Sequence, residues 1–129
     1  MVLVDSSVWI DALRESGPES VRLRVASLME AGEAAWCAAV RLELWSGIRH
    51  DRERRILQQF SSVIVDLPIS NQVWDLAIAM AEAGRRRGYT FPYPDLLIFG
   101  CATVHRAELF HRDSHFNALA KLAGSGMFN

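Results

Sequence analysis

Cysteine is scarce in this 129-residue chain, and lysine is scarcer still. The two cysteines, Cys37 and Cys101, sit in apolar segments without CxxC spacing. That sets aside a zinc site built on cysteine pairs. It reads instead as two buried small hydrophobes in a reducing compartment. Long hydrophobic runs are also missing. None approaches the ~18–20 apolar residues needed to cross a bilayer. The N-terminal run reaches Asp5 too soon to be a signal peptide, so the expected location is the cytoplasm. Charge of one sign is missing too. The formal net charge is −1, so any contact with nucleic acid must come from local patches. Lys121 is the single lysine among fourteen basic residues. The arginine excess suits bidentate phosphate binding, and a genome rich in arginine codons would produce it equally well.

What is present is an ordinary globular balance, with half the residues hydrophobic and 22% charged. The length suits one domain, residues 1–129, with a single core. There is no linker, repeat or low-complexity tract. A first strand is expected from Val2 to Asp5. Ser6 or Ser7 would cap a helix through Val8, Trp9, Ile10 and Leu13, which Gly17-Pro18 ends. A second helix is predicted from about Ser20 to Ala31, with Val21, Val25, Leu28 and Met29 on one face. Gly32 closes it. A short strand, Ala34 to Ala38, leads into a helix that carries Glu43. Asp51 to Ser61 reads as a helix with Ile56, Leu57 and Phe60 inside. Val63 to Leu67, short and β-branched, is the best strand signal in the chain.

Ser70 is the expected N-cap of a long helix with Val73, Trp74, Ala77, Met80 and Ala81 at helical spacing. That helix ends at Arg85-Arg86-Arg87-Gly88. The two prolines of Tyr89 to Pro94 predict a loop. Asp95 to Val104 is apolar nearly all round and predicts a buried helix. A strand at Glu108 to Phe110 and a helix at Phe116 to Leu122 complete the pattern. Strands alternating with helices imply an α/β fold with a central parallel sheet covered on both faces.

Four acids fall where a strand or turn hands over to a helix. Asp5 ends Val2-Leu3-Val4. Glu43 lies in Leu42-Glu43-Leu44. Asp95 opens Leu96-Leu97-Ile98-Phe99. Asp113 follows Leu109-Phe110-His111-Arg112. Each has a structural alternative: Asp5 as a cap, Asp95 at a helix dipole, Glu43 on a solvated face, Asp113 starting a turn. Open α/β sheets, however, build their sites at the C-terminal ends of their strands. Carboxylates converging there need a cation, and hard oxygen ligands point to Mg²⁺ or Mn²⁺. The default chemistry of such a site is metal-assisted phosphodiester hydrolysis. Asp5 is costly to bury directly behind a strand unless it is used or paired.

The order strand-Asp-Ser-Ser, then Leu-Glu-Leu, then Pro-Asp-Leu-Leu-Ile, then Arg-Asp-Ser-His-Phe resembles the PIN-domain ribonucleases. Within them it is similar to the VapC-type toxins of bacterial toxin–antitoxin operons. The resemblance spans Val2 to Phe116. It implies an α/β/α sandwich, a Mg²⁺- or Mn²⁺-dependent endoribonuclease, a homodimer, and a VapB-type antitoxin that blocks the site. Asp5, Glu43, Asp95 and Asp113 fall on the family's acidic positions. Ser7 falls on its Ser/Thr position, where the hydroxyl is expected to hold a ligand carboxylate or a metal-bound water, or to cap the helix. Two residues depart from the pattern: His111 stands where Thr is frequent, and His115 where a further Asp is common.

On this reading RNA is cleaved by metal-activated water. Asp5, Asp95 and Asp113 are the expected metal ligands, with Glu43 and Asp113 available for a second ion or for a proton. Arg85, Arg86 and Arg87, beside Tyr89, Phe91 and Tyr93, suit unpaired RNA through phosphate pairing and base stacking. The alternative is that they complement a helix C-terminus. Trp9, Trp45 and Trp74 read mostly as core. Trp9 and Trp45 are also the expected border of a groove for an antitoxin helix, whose Arg or Lys would reach Asp5 and Asp95. Two rival functions remain. One is a PIN-like module that binds RNA or protein without cutting. The other is a haloacid-dehalogenase-like phosphatase, which would want a second Asp where Ser7 stands.

Overall fold

The computed structural model describes residues 1–14 and 17–125, which include every candidate residue named above. Its sheet has four strands, all parallel, in the order β3-β2-β1-β4. They are β1 (Val2–Val4), β2 (Ala34–Trp36), β3 (Val65–Asp66) and β4 (Glu108–Phe110). Every residue of β1 and β2 is buried. Such strands need cover on both faces, and helices supply it, giving an α/β/α sandwich. Leu3 and Val4 are fully enclosed, each gaining roughly 1.5–3 kcal/mol over an exposed side chain.

The first crossover carries α1 (Ser6–Leu13) and α2 (Glu19–Glu30), and α3 (Ala38–Ser46) and α4 (Asp51–Ser61) lead to β3. The chain then turns back through α5 (Asn71–Arg86) and α6 (Tyr93–Val104) to place β4 on the other side of β1. Helix α7 (Ser114–Gly124) follows. The strand order therefore reverses beside β1, where an open sheet leaves a crevice at its C-terminal edge. Helix α6 packs against α5, α3 and α7, and Asp95 in its first turn is buried.

Several expectations are corrected. The strand expected at Val63 to Leu67 is two residues long and lies at the sheet edge, with Val63 56% exposed. The N–H groups of Val63 and Ile64 donate to Phe60 O, so the segment is still leaving α4. β-branching marks a residue that suits a pleated surface, and it does not say how long the pairing runs. The loop expected through Pro94 ends at Pro92, because Tyr93 and Pro94 form the first turn of α6. A first-turn proline lacks only an N–H that has no intrahelical partner. Asp5, rather than Ser6 or Ser7, caps α1. Ser70 stands at the N-cap of α5 but makes no capping hydrogen bond.

The tryptophans divide. Trp9 is fully buried, its ring 5.9 Å from that of Trp36 and 5.7 Å from that of Phe60. It therefore borders no groove. Trp45 is half-buried, and the Arg54 guanidinium lies 5.9 Å from its ring centroid. Trp74 is half exposed on α5 and does not belong to the core. Among the described residues, no helix is long and apolar enough to cross a membrane.

Candidate metal centre

Asp5 stands directly past β1, flanked by the strands on both sides. Its N–H donates to Phe110 O at 3.0 Å, which ties the end of β1 to β4. The chain then turns into α1 with the Asp5 carboxylate as cap. Oδ2 accepts from the Ser7 N–H at 3.1 Å and from Ser7 Oγ at 2.6 Å. The residue is 3% exposed. Capping and site placement are thus one geometry, since the cap rotamer faces the carboxylate toward the sheet edge. Ser7 Oγ also accepts from the Arg112 N–H at 3.3 Å, linking Asp5 to the segment that leads to Asp113.

Glu43 lies midway along α3 and is only partly exposed. Ser6 Oγ donates to its Oε1 at 3.1 Å. Burial pushes its carboxyl above the ordinary carboxylate range. The Ser6 hydrogen bond opposes that shift, and the charges of Asp5, Asp95 and Asp113 add to it. All three other acids therefore lie close enough to act on Glu43. Ser6 is a participant that the sequence did not single out. The available signal was the serine pair behind Asp5, whose two hydroxyls reach different carboxylates.

Asp95 sits in the first turn of α6 and is buried. Burial raises its pKa first. The His115 hydrogen bond lowers it, Asp113 raises it, the charge of His115 lowers it and Asp5 raises it. The Asp95 Oδ2–His115 Nδ1 distance is 2.8 Å. Asp113 is the N-cap of α7, accepting from the His115 N–H at 2.9 Å. His115 Nδ1 lies 3.3 Å from Asp113 Oδ1. Asp95, Asp113 and His115 form a trio with one donor atom each, all within 4.8 Å of one another. Asp5 and Glu43 lie outside that trio, with Asp5, Asp95 and Asp113 all close enough to act on Glu43. His111 turns the other way: its ring packs 5.0 Å from Phe116, and its Nδ1 accepts from the Asp113 N–H at 3.3 Å.

Arg85, Arg86 and Arg87 occupy the end of α5. Arg86 pairs with Glu82 at 3.3 Å, and Arg87 donates to Ser125 Oγ. Arg85 lines a groove of about 600 Å³ together with Trp74, Ile78, Tyr89, Tyr93 and Leu97. That groove includes none of the four acids. Tyr93 on its rim is 80% exposed, two residues before Asp95. A smaller cavity of about 180 Å³ lies between α1, α3 and α4 and does reach Glu43, beside Arg14 and Arg49.

Asp95, Asp113 and His115 together offer a donor set that can hold a metal ion. A family model described as PIN domain matches residues 2–122. The "VapC ribonuclease Mb1587" of Mycobacterium bovis is 29% identical over 125 residues, covering 95% of this chain and 93% of that protein. The "Ribonuclease VapC11" of Mycobacterium tuberculosis matches with the same identity and coverage. Two solved structures share the fold. The first is VapBC2 from Rickettsia felis bound to a DNA fragment, with a TM-score of 0.74, 18% identity, and coverage of 88% of this chain and 89% of that one. The second is FitAcB from Neisseria gonorrhoeae, with a TM-score of 0.72, 20% identity and 94% of each chain covered.

Proposed function

Because the chain belongs to the PIN domain family, we propose that it is a metal-dependent endoribonuclease, the toxin of a type II toxin–antitoxin pair. The observation that carries this reading is the convergence of Asp5, Glu43, Asp95 and Asp113 at one edge of a parallel sheet. Their donor chemistry fits Mg²⁺ or Mn²⁺. Carboxylates that raise one another's pKa are relieved by a cation between them. In this reading Asp95 and Asp113 hold the ion, with Asp5 as a further ligand oriented by Ser7. The ion, when bound, offsets phosphate charge and activates water. Glu43 keeps one oxygen on Ser6 and uses the other to accept the proton of the attacking water. Its raised pKa makes it a better acceptor than an exposed glutamate. The water oxygen forms a new P–O bond as one phosphodiester P–O bond breaks. Arg85, Arg86 and Arg87, with Tyr93, would guide single-stranded RNA past the crevice.

The partners in this reading are RNA, a VapB-type antitoxin and a second copy of the chain. Structures of similar fold are titled as VapBC and toxin–antitoxin complexes, which supports the antitoxin. The test is cleavage of end-labelled RNA with Mg²⁺, Mn²⁺ or chelator. Wild type should cut only with metal. Asp5→Asn and Asp95→Asn should lose more than the ~10–100-fold typical of changing a residue that merely supports a metal ligand. Full activity in both variants would exclude this mechanism. Metal-independent RNA binding without cleavage would favour a non-catalytic PIN-like module.

A further inference from the structure

We propose that His115 is a metal ligand through Nδ1, and that its nitrogen makes this site select Mn²⁺ over Mg²⁺. The proposal rests on the metal-dependent reading of the crevice and names what one residue of this chain does there. Three observations carry it. First, the trio whose donor atoms lie within 4.8 Å of one another is Asp95, Asp113 and His115, so the imidazole belongs to the most closely gathered donor set. Second, the spacings suit a common ion. Cis ligands at ~2.1 Å around an octahedral cation stand about 3.0 Å apart. Nδ1 stands 2.8 Å from Asp95 Oδ2 and 3.3 Å from Asp113 Oδ1. Third, the ring is held in place. The His115 N–H is fixed on Asp113 Oδ1 at 2.9 Å by the cap of α7, so ring and carboxylate arrive at the crevice as one unit.

The selectivity follows from the donor type. In the absence of metal, Nδ1–H donates to Asp95 Oδ2. A cation would take the place of that proton, and the neutral imidazole, with its proton on Nε2, would then present a lone pair at Nδ1. Mg²⁺ takes hard oxygen ligands and sheds water reluctantly. Mn²⁺ accepts oxygen as readily and, although the weakest of the first-row divalent series for such ligands, gains more from a nitrogen than Mg²⁺ does. Replacing one carboxylate by imidazole also removes one negative charge from a crowded acidic site. That weakens the purely electrostatic hold on which Mg²⁺ depends more than Mn²⁺ does. His111 does not share the role, because its ring is turned onto Phe116.

The test uses the full chain with Mn²⁺ alone and with Mg²⁺ in competition, read by the electron paramagnetic resonance of free Mn²⁺. Pulsed resonance on the loaded protein reads nitrogen coupling. Wild type and His111→Ala should show a directly bound nitrogen, and His115→Ala and His115→Asp should not. His115→Asp should lower the ratio of Mn²⁺ to Mg²⁺ affinity by about tenfold or more. His115 is exposed, so both variants should fold, and circular dichroism checks this. A wild type without nitrogen coupling, coupling that survives His115→Ala, or an unchanged ratio in His115→Asp would overturn the proposal. Asp95→Asn separates the two levels. If it binds Mn²⁺ like wild type, the metal site itself is wrong. If it loses Mn²⁺ while His115→Asp keeps the wild-type ratio, only the role of His115 fails.

Discussion

Glu43 and Asp95 are carboxylates made less acidic first by burial and then by neighbouring negative charge, from Asp5, Asp95 and Asp113 at Glu43 and from Asp113 and Asp5 at Asp95. The consequence for stability has a definite sign. A raised folded pKa means the folded protein takes up the proton before the unfolded chain does. Stability therefore falls as pH rises from the ordinary values, 4.5 for Glu43 and 3.8 for Asp95, through the raised folded ones. The penalty is complete above that window and absent below it. Glu43→Gln keeps an acceptor for Ser6 and removes the charge. In chelator at neutral pH it should melt above wild type, and the difference should vanish below about pH 4. Thermal melts across pH decide this. A variant that melts below wild type at neutral pH would mean that the acids are not repelling one another. An ion held by Asp95 and Asp113 should raise both melting temperatures and narrow the difference, since binding to the folded state adds stability and the cation offsets the repulsion at Glu43.

At the scale of elements, the contact between α5 and α6 decides where Asp95 stands. Gly84 lets α5 pack closely on Phe91, in the loop that leads into α6. A Cβ there would come 2.8 Å from Phe91 Cε2 and 3.2 Å from Cδ2. Phe91 is buried and stacked on Tyr89 with ring centroids 5.5 Å apart, so it has little room to yield. Alanine gains ~0.8–1 kcal/mol of helix propensity over glycine, whereas overpacking costs roughly 1–3 kcal/mol. Gly84→Ala should therefore lower Tm, and it should weaken metal binding by displacing the start of α6. Gly124→Ala, at the end of α7 with nothing within 4 Å of its Cβ, is the control and should hold or raise Tm. Equal melting temperatures for the two variants would show that Phe91 moves freely.

The same elements show what local pattern conveys. The apolar run after Asp95 announced a buried helix, and Leu96, Ile98 and Cys101 are buried. Its start was misplaced because a first-turn proline looks like a loop until the helix axis is known. Glu43 lies midway along α3 and not at a handover, whereas Asp95 stands in a first helical turn. Asp5 and Asp113 were legible at the handover into a helix, since both are N-caps and capping has a sequence signature. The reach of Ser6 to Glu43 across 37 positions was not, because it depends on how α1 packs on α3. Trp9 is core, as its periodicity suggested, but the groove expected beside it is filled by Trp36 and Phe60, since periodicity gives a face and not its partner.

The whole molecule carries a formal net charge of −1 and a crevice of repelling carboxylates. RNA brought to that edge must therefore be held by a local tract, and Arg85 is the best placed residue to supply it. It lines the groove beside Tyr93, whereas Arg86 is paired with Glu82 and Arg87 with Ser125. Arg24 is a matched control at the other end of the sheet. It pairs with Glu108, which opens β4 opposite Val2, and lies 4.1 Å over the Phe110 ring. Each substitution to alanine removes one positive charge. In an Asp5→Asn background, which should bind without cutting, a labelled single strand can be titrated by anisotropy across KCl concentrations. Arg85→Ala should weaken binding and reduce the salt slope by roughly 0.7, the share of one phosphate contact on a single strand. Arg24→Ala should leave the slope unchanged. Equal losses from the two would mean that RNA responds to net charge alone, and that the arginines at the end of α5 form no track.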